Sequence, residues 1–133
     1  MAIIIDADVI IRGEKGDFDL ESWVASQPDE TFEIAAITVA ELWHGVERAT
    51  GSRRSVRAAY LQNTFQWLPV VVYTSEIAYE HARIWAELEA NGKMIGDYDL
   101  IVAASALFRG NAVATFNAKH FSMVPNLTVI VPK

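Results

Sequence analysis

Residues 3–10 read Ile-Ile-Ile-Asp-Ala-Asp-Val-Ile, IIIDADVI, and the fold turns on how that apolar run is used. A short β-branched stretch with no polar alternation, residues 2–5, suits a strand buried on both faces of a parallel sheet. Asp6 and Asp8 then form the polar tip of that strand. Three uses are open to them: a phosphatase nucleophile pair, a metal site, or the solvated end of a buried strand.

Outward from this stretch the chain alternates. Further strands are expected over residues 31–37, 68–73 (LPVVVY), 112–115 (AVAT) and 127–131 (LTVIV), with helix-like segments between most of them. Thr38-Val-Ala-Glu41 fits a capping box that opens a helix reaching to about Ala49, with Gly51 just past its end. Residues 52–66 read as a second helix. Residues 74–91 read as a long amphipathic one, with Ile77, Ile84 and Leu88 on one stripe and Gly92 at its C-terminal stop. In residues 97–109, Leu100, Ala103, Ala104 and Leu107 make an i, i+3, i+4, i+7 face, and Gly110 ends it. The expected fold is α/β, a single domain over residues 1–133 with a mainly parallel central sheet of about five strands flanked by helices.

Composition bounds the chemistry. The 133 residues suffice for one packed core, and 52% hydrophobic residues with scattered Gly and Pro leave no stretch that reads as disordered. There is no cysteine, so disulfides, thiolate zinc sites and Cys nucleophiles are excluded and any metal must be held by oxygen or imidazole. Neither a basic segment leading into a long apolar run nor a spanning stretch is visible, so no membrane association is expected and the protein is read as cytoplasmic. A net charge of −6 argues against nonspecific coating of nucleic acid. Yet Arg48, Arg53, Arg54 and Arg57 gather four of the eleven basic residues in one short segment, which reads as a solvated helix face or as a local basic surface.

In open parallel sheets, ligands bind beyond the C-terminal ends of the strands. The acids fall there: Asp6 and Asp8 after the first strand, Glu41 after the second, and Asp97 and Asp99 at the start of the helix feeding the fourth, which Thr115 and Asn117 follow. Each has a structural use, Glu41 as a capping-box partner, Asp97 as an N-cap, and Asp99 as a first-turn carboxylate favoured by the helix dipole. Together they leave a convergence unexplained. Two carboxylates ~5 Å apart in an effective dielectric of ~20 repel by roughly 3 kcal/mol, which calls for a protonated carboxyl or a divalent cation between them, and an oxygen-only site suits Mg²⁺ or Mn²⁺. Such a site points to phosphate chemistry. No GxxxxGK[ST], GxGxxG, GxSxG or HExxH motif competes with it. His44, His81 and His120 lie far apart in sequence and are expected at the surface or in packing.

IIIDADVI resembles the first motif of the haloacid dehalogenase-like phosphatases, with Asp6 as nucleophile, Asp8 as acid/base, and Thr38 and Lys93 in the next two motifs. The pattern stops there: Asp97 is only four residues past Lys93 and opens a helix, and Ile101 sits where the second acid of GDxxxD belongs. The ordered set IIIDADVII, AAITVAELWHGVERA, IGDYDLIVAASALFRGNAVATFNAKHF and LTVIV resembles the PIN-domain ribonucleases, especially the VapC toxins of prokaryotic toxin–antitoxin pairs, over nearly the whole chain.

That resemblance implies that Asp6, Glu41 and Asp99 hold a metal, Mg²⁺ or possible Mn²⁺, with Asp97 as an auxiliary acid. It gives Asp8 a supporting place, puts Asn117 where many members carry a fourth acid, and makes Thr115 a support for Asp6. Asn117 contributes no charge, which puts a second metal position in question. The implied reaction is hydrolysis of an RNA phosphodiester by in-line attack of water, leaving a 5′-phosphate and a 3′-hydroxyl, with Arg12, Lys93 and Lys119 the nearest cations for the substrate. The implied partners are RNA, a second copy in a homodimer, and a cognate VapB-type antitoxin through which alone DNA is contacted. The Arg48 to Arg57 cluster then reads as an antitoxin or RNA surface, and Trp43 as an exposed anchor for the partner or as a core residue. A protein-binding module without activity is the alternative.

Overall fold

A computed structural model describes residues 2–133. In chain order the elements are β1 (Ala2–Ile5), α1 (Ala7–Lys15), α2 (Leu20–Ala25), β2 (Thr31–Ala35), α3 (Ala36–Arg48), α4 (Gly51–Trp67), β3 (Val70–Val71), α5 (Ser75–Ala90), α6 (Asp97–Arg109), β4 (Ala112–Ala114), α7 (Ala118–Phe121) and β5 (Thr128–Ile130). The strands form one sheet in the order β3-β2-β1-β4-β5, every neighbouring pair parallel. Beginning at the centre, the chain winds outward to one edge through β2 and β3, then returns to place β4 on the other side of β1. The direction of winding therefore reverses between β1 and β4, where a crevice opens at the C-terminal ends of parallel strands.

The strands are buried on both faces, as the apolar run at residues 3–5 requires. Ile4, Ala35 and Val113 pack into one core with α5, α6 and α7, whereas Ile3, Ile5, Phe32, Ile34 and Ala114 turn into a second core with α1 to α4. This is the two-residue alternation of a strand, with both sides covered by helices. β3 is shorter than the expected 68–73 strand because it is an edge: Val72 and Tyr73 run on exposed. Among the described residues no helix is long and apolar enough to cross a membrane.

The start of α3 departs from expectation. The strand ends at Ala35, not at residue 37, and the helix begins at Ala36 with Ala35 as its N-cap and no side-chain cap. Ala35 keeps the extended backbone of the strand, φ −72° and ψ 146°, so β2 feeds α3 without a turn residue. Thr38 thus lies inside the first turn, fully buried, with a hydroxyl that finds no hydrogen-bond partner. A capping threonine loses about 1 kcal/mol when its hydroxyl is removed; an orphaned one gains, because its desolvation is uncompensated. Thr38→Val is therefore expected to raise stability by about 1 kcal/mol in urea denaturation, and a fall would restore the capping box.

Three short helices have no counterpart in the sequence reading, α7 among them. α1 follows β1 directly, with Asp6 as its N-cap, and α2 spans a single exposed-to-core crossing that buries Leu20 and Trp23. Trp43 is not an exposed anchor: it is half-buried against the α1–α4 core. The exposed large aromatics are elsewhere, on Tyr79, Trp85 and Tyr98 among others.

Candidate active site

Asp6 ends the central strand and starts α1, so the backbone fixes its carboxylate at the crevice. Its backbone N–H is still in the sheet, donating to the Ala114 carbonyl at 2.9 Å. One carboxylate oxygen accepts from the Ala7 N–H at 2.8 Å and the other from the Thr115 hydroxyl at 2.8 Å. Thr115 reaches it because β4 lies beside β1 with Ile5 opposite Ala114. The Thr115 oxygen also accepts from the Asn117 N–H at 2.9 Å and lies 3.4 Å from Asp8. Its single proton can serve one acid at a time.

Asp8 is more deeply engaged than a peripheral support. Its carboxylate accepts from the Phe116 N–H at 3.1 Å, and the Arg12 guanidinium, stacked over the Phe116 ring at 4.2 Å, counters its charge. Glu41 projects from α3 and Asp99 from the first turn of α6, whose N-cap is Gly96. The two line one cleft; Glu41 senses the Asp99 charge, and Asp99 senses that of Asp8.

Burial pushes the Asp6 carboxyl up to about 7, with the Asp8 and Asp99 charges adding to it and the Thr115 hydrogen bond opposing. Burial likewise raises Asp8, opposed by the Phe116 N–H and Arg12. It raises Glu41, with Asp99 adding, and Asp99 itself, opposed by His120. Four acids are thus brought together, each resisting ionisation in the presence of the others. Asp97 is exposed at the crevice rim, lining a shallow cleft with Glu41, Gly96, Tyr98 and Asp99. Its charge is felt by His81.

His44 and His120 are exposed and His81 packs between aromatic rings, as expected, but all three also border the acids. His44 shares a cleft with Glu41 and Tyr98. His81 lies in reach of Asp97, hydrogen-bonded through Nδ1 to the Tyr73 hydroxyl at 2.8 Å and stacked on Trp85. Asp99 senses His120, whose Nδ1 is 2.9 Å from the Asn117 amide nitrogen. In the neutral ring Nδ1 accepts from that amide; in the charged ring both nitrogens donate, and Asn117 must turn its oxygen to face it. Asn117 is therefore tied to His120 and, through its backbone, to Thr115. A usable signal lay in the sequence, since His44 is i+3 from Glu41 and His120 is i+3 from Asn117. Arg12 is at the site, whereas Lys93 and Lys119 are exposed and form no ion pair with an acid among the described residues.

The donor chemistry suits a hard divalent cation: carboxylate oxygens whose mutual repulsion an ion would relieve. Among the described residues no three His, Asp or Glu side chains converge closely enough to hold an ion as they stand. Binding has to draw them in. Asp6 and Asp8 are pinned by hydrogen bonds, while Glu41 and Asp99 make no side-chain hydrogen bond among the described residues and are free to rotate.

A parallel sheet whose reversal point carries carboxylates places the chain in the class of α/β folds with an acid-lined crevice at the strand ends. The particular family follows from comparison. The PIN domain model matches residues 3–127. Ribonuclease VapC of Rickettsia bellii is 30% identical over 134 aligned residues, spanning 98% of this chain and 96% of its own. The tRNA(fMet)-specific endonuclease VapC of Salmonella typhimurium is 31% identical over 96 residues, 72% of this chain and 71% of its own. A crystal structure of DNA-bound VapBC from Salmonella typhimurium superposes with a TM-score of 0.87 at 25% identity, covering 97% of this chain and 96% of that one. The chain belongs to the PIN-domain family, in its VapC branch. Membership sets aside the phosphatase reading of Asp6 and Lys93.

Proposed function

We propose that this protein is the ribonuclease toxin of a toxin–antitoxin pair, hydrolysing RNA phosphodiester bonds at the crevice between β1 and β4 and held in check by a cognate VapB-type antitoxin. The observation that carries the reading is the cluster of Asp6, Asp8, Glu41 and Asp99 at that reversal point, in a chain whose relatives are named as VapC ribonucleases and whose structural neighbours are VapBC assemblies. RNA is the substrate and, as in the name of the Salmonella relative, a tRNA is the foremost target class.

Asp6, Glu41 and Asp99 would hold Mg²⁺ or Mn²⁺, with Asp97 auxiliary at the rim. Such an ion supplies charge neutralisation on the phosphate and acidifies water at the site. The chain's own residues do the rest. Thr115 and the Ala7 N–H fix the direction of the Asp6 carboxylate. Asp8, held by the Phe116 N–H, keeps negative charge beside it, which draws the cation and orients water. Asn117 and His120 form a hinged donor–acceptor pair at the margin, able to hold a water or a phosphate oxygen by turning the amide.

Expression without antitoxin is expected to arrest growth and to generate new RNA 5′ ends at a few defined sites, mapped by sequencing of 5′-phosphorylated termini. Arrest that persists in Asp6→Ala, with no new 5′ ends in either strain, would replace the nuclease by a module that sequesters a partner.

A further inference from the structure

A crevice lined by four acids repels the polyanion it is proposed to cut, so cations must hold the strand somewhere along its path. The arginine cluster divides into two kinds. Arg54 is 3.3 Å from the Glu47 carboxylate. Arg57 is 3.2 Å from Glu14 and donates to the Gly45 carbonyl at 3.3 Å. A Cβ at Gly45 would come within 3.3 Å of that guanidinium, so the glycine lets Arg57 lie flat on α3. Both are committed to partners within the fold, although Arg54 is exposed and Arg57 borders the cleft that the other two line.

Arg48 and Arg53 have no ion-pair partner among the described residues, and both are exposed. They line an open cleft of about 480 Å³ with Glu41, His44 and Thr50. Glu41, His44 and Arg48 lie at i, i+3 and i+7 on α3 and so share one face, with Arg48 ~10 Å along the axis from Glu41. Arg53 sits in the first turn of α4, which has no acidic residue. A cation there opposes the helix dipole. Local structure gives no reason for it, and no carboxylate compensates it as Glu47 does Arg54. The cleft meets two others at Glu41, one reaching Tyr98 and one reaching Asp99, so a trough runs from the two arginines to the acids.

We propose that Arg48 and Arg53 form a phosphate-binding subsite that holds the RNA backbone on the Glu41 side of the scissile bond. This rests on the ribonuclease reading and adds the direction from which the strand enters. An acidic peptide has no cause to run from two cations into four carboxylates. A strand that is to be cut there must do so.

The test uses a fluorescein-labelled single-stranded oligoribonucleotide and the full chain carrying Asp99→Asn, so that the probe survives. Each phosphate contact to a single strand adds about 0.7 to the slope of log affinity against log salt. Arg48→Gln with Arg53→Gln is expected to flatten that slope by about 1.4 and to weaken binding near 0.1 M salt on the order of tenfold; Arg54→Gln leaves both unchanged. In the active chain the double variant raises KM about tenfold and keeps kcat within about twofold, the pattern of lost uniform binding. An unchanged slope and affinity overturn the subsite, as does a fall in kcat at constant KM. Loss of binding to a poly-glutamate probe with RNA binding intact assigns the cleft to an acidic peptide and also overturns it. Weakened RNA binding in a chain whose parent cuts no RNA sustains the subsite while the ribonuclease reading fails.

Discussion

Asp6→Asn is expected to make the metal-free protein more stable at pH 8 while silencing it. The Asp6 carboxyl is raised from 3.8 to about 7 in the folded chain. Below pH 4 it is protonated in both folded and unfolded states and contributes nothing. Between pH 4 and 7 the unfolded chain releases the proton and the folded chain keeps it, so stability falls as pH rises; above pH 7 the full cost of the buried charge is present. About three pKa units correspond to ~4 kcal/mol. Asparagine removes that charge, keeps an oxygen for the Ala7 N–H, and gives up a charge-assisted bond from Thr115 at a cost of about 1–2 kcal/mol. The net gain at pH 8 is on the order of 2 kcal/mol, or about 8 °C in melting temperature for a chain of this size.

The same substitution should abolish RNA cleavage and blunt the rise in melting temperature expected of the parent in millimolar Mg²⁺, since a ligand stabilises only through its affinity for the folded state. Thermal melts from pH 4 to 9, with and without Mg²⁺, read all of this. A variant less stable than the parent at pH 8 would show that the Asp6 charge is already compensated within the fold.

Asp99→Asn carries the second large effect. Its carboxylate stands in the first turn of α6, half-buried, opposite Glu41 and beside His120. Cleavage is expected to fall by more than roughly a hundredfold, beyond what loss of a supporting group around a metal costs. Folding should be spared, because Asp99 makes no side-chain hydrogen bond among the described residues and the dipole benefit it gives up is worth only about 0.3–1 kcal/mol. Among the described residues Asp99 is the charge that, with burial, holds Glu41 up, so Glu41 should titrate lower in the variant, visible in carboxyl-carbon NMR. Normal cleavage by Asp99→Asn would remove it from the site; an unshifted Glu41 would mean that the two do not share the crevice.

Where each element could be read depended on how local its cause is. α5 and α6 were legible because their signals are written beside them: Thr74 caps one, accepting from the Ile77 N–H, and left-handed Gly110 closes the other. The buried strands were legible as apolar runs, though their ends were not, since β3 stops where the sheet has an edge rather than where its residues change. The α3 start was misread because Thr38-x-x-Glu41 satisfies a local pattern that the strand preceding it overrides. α1 follows its strand with no loop between, so its N-cap Asp6 reads as the polar tip of the strand rather than as the start of a helix. The acids emerged as an ordered set, but the engagement of Asp8 and the gathering of three histidines depend on β4 returning to lie beside β1. That adjacency joins residues some hundred positions apart, and no window along the chain contains it.

Asp6 spends one lone pair of each carboxylate oxygen on donors of its own fold, the first amide of α1 and the side chain that follows β4. The Asp6 carboxylate is accordingly positioned by folding and not by a ligand, and it has little rotational freedom to surrender to an ion or a phosphate, whereas Glu41 and Asp99 keep theirs. The same economy ties function to local motion. Fraying of the first turn of α1 and disassembly of the site are one event, so the exchange rate of the Ala7 amide with solvent reports how often the enzyme is, for an instant, not an enzyme.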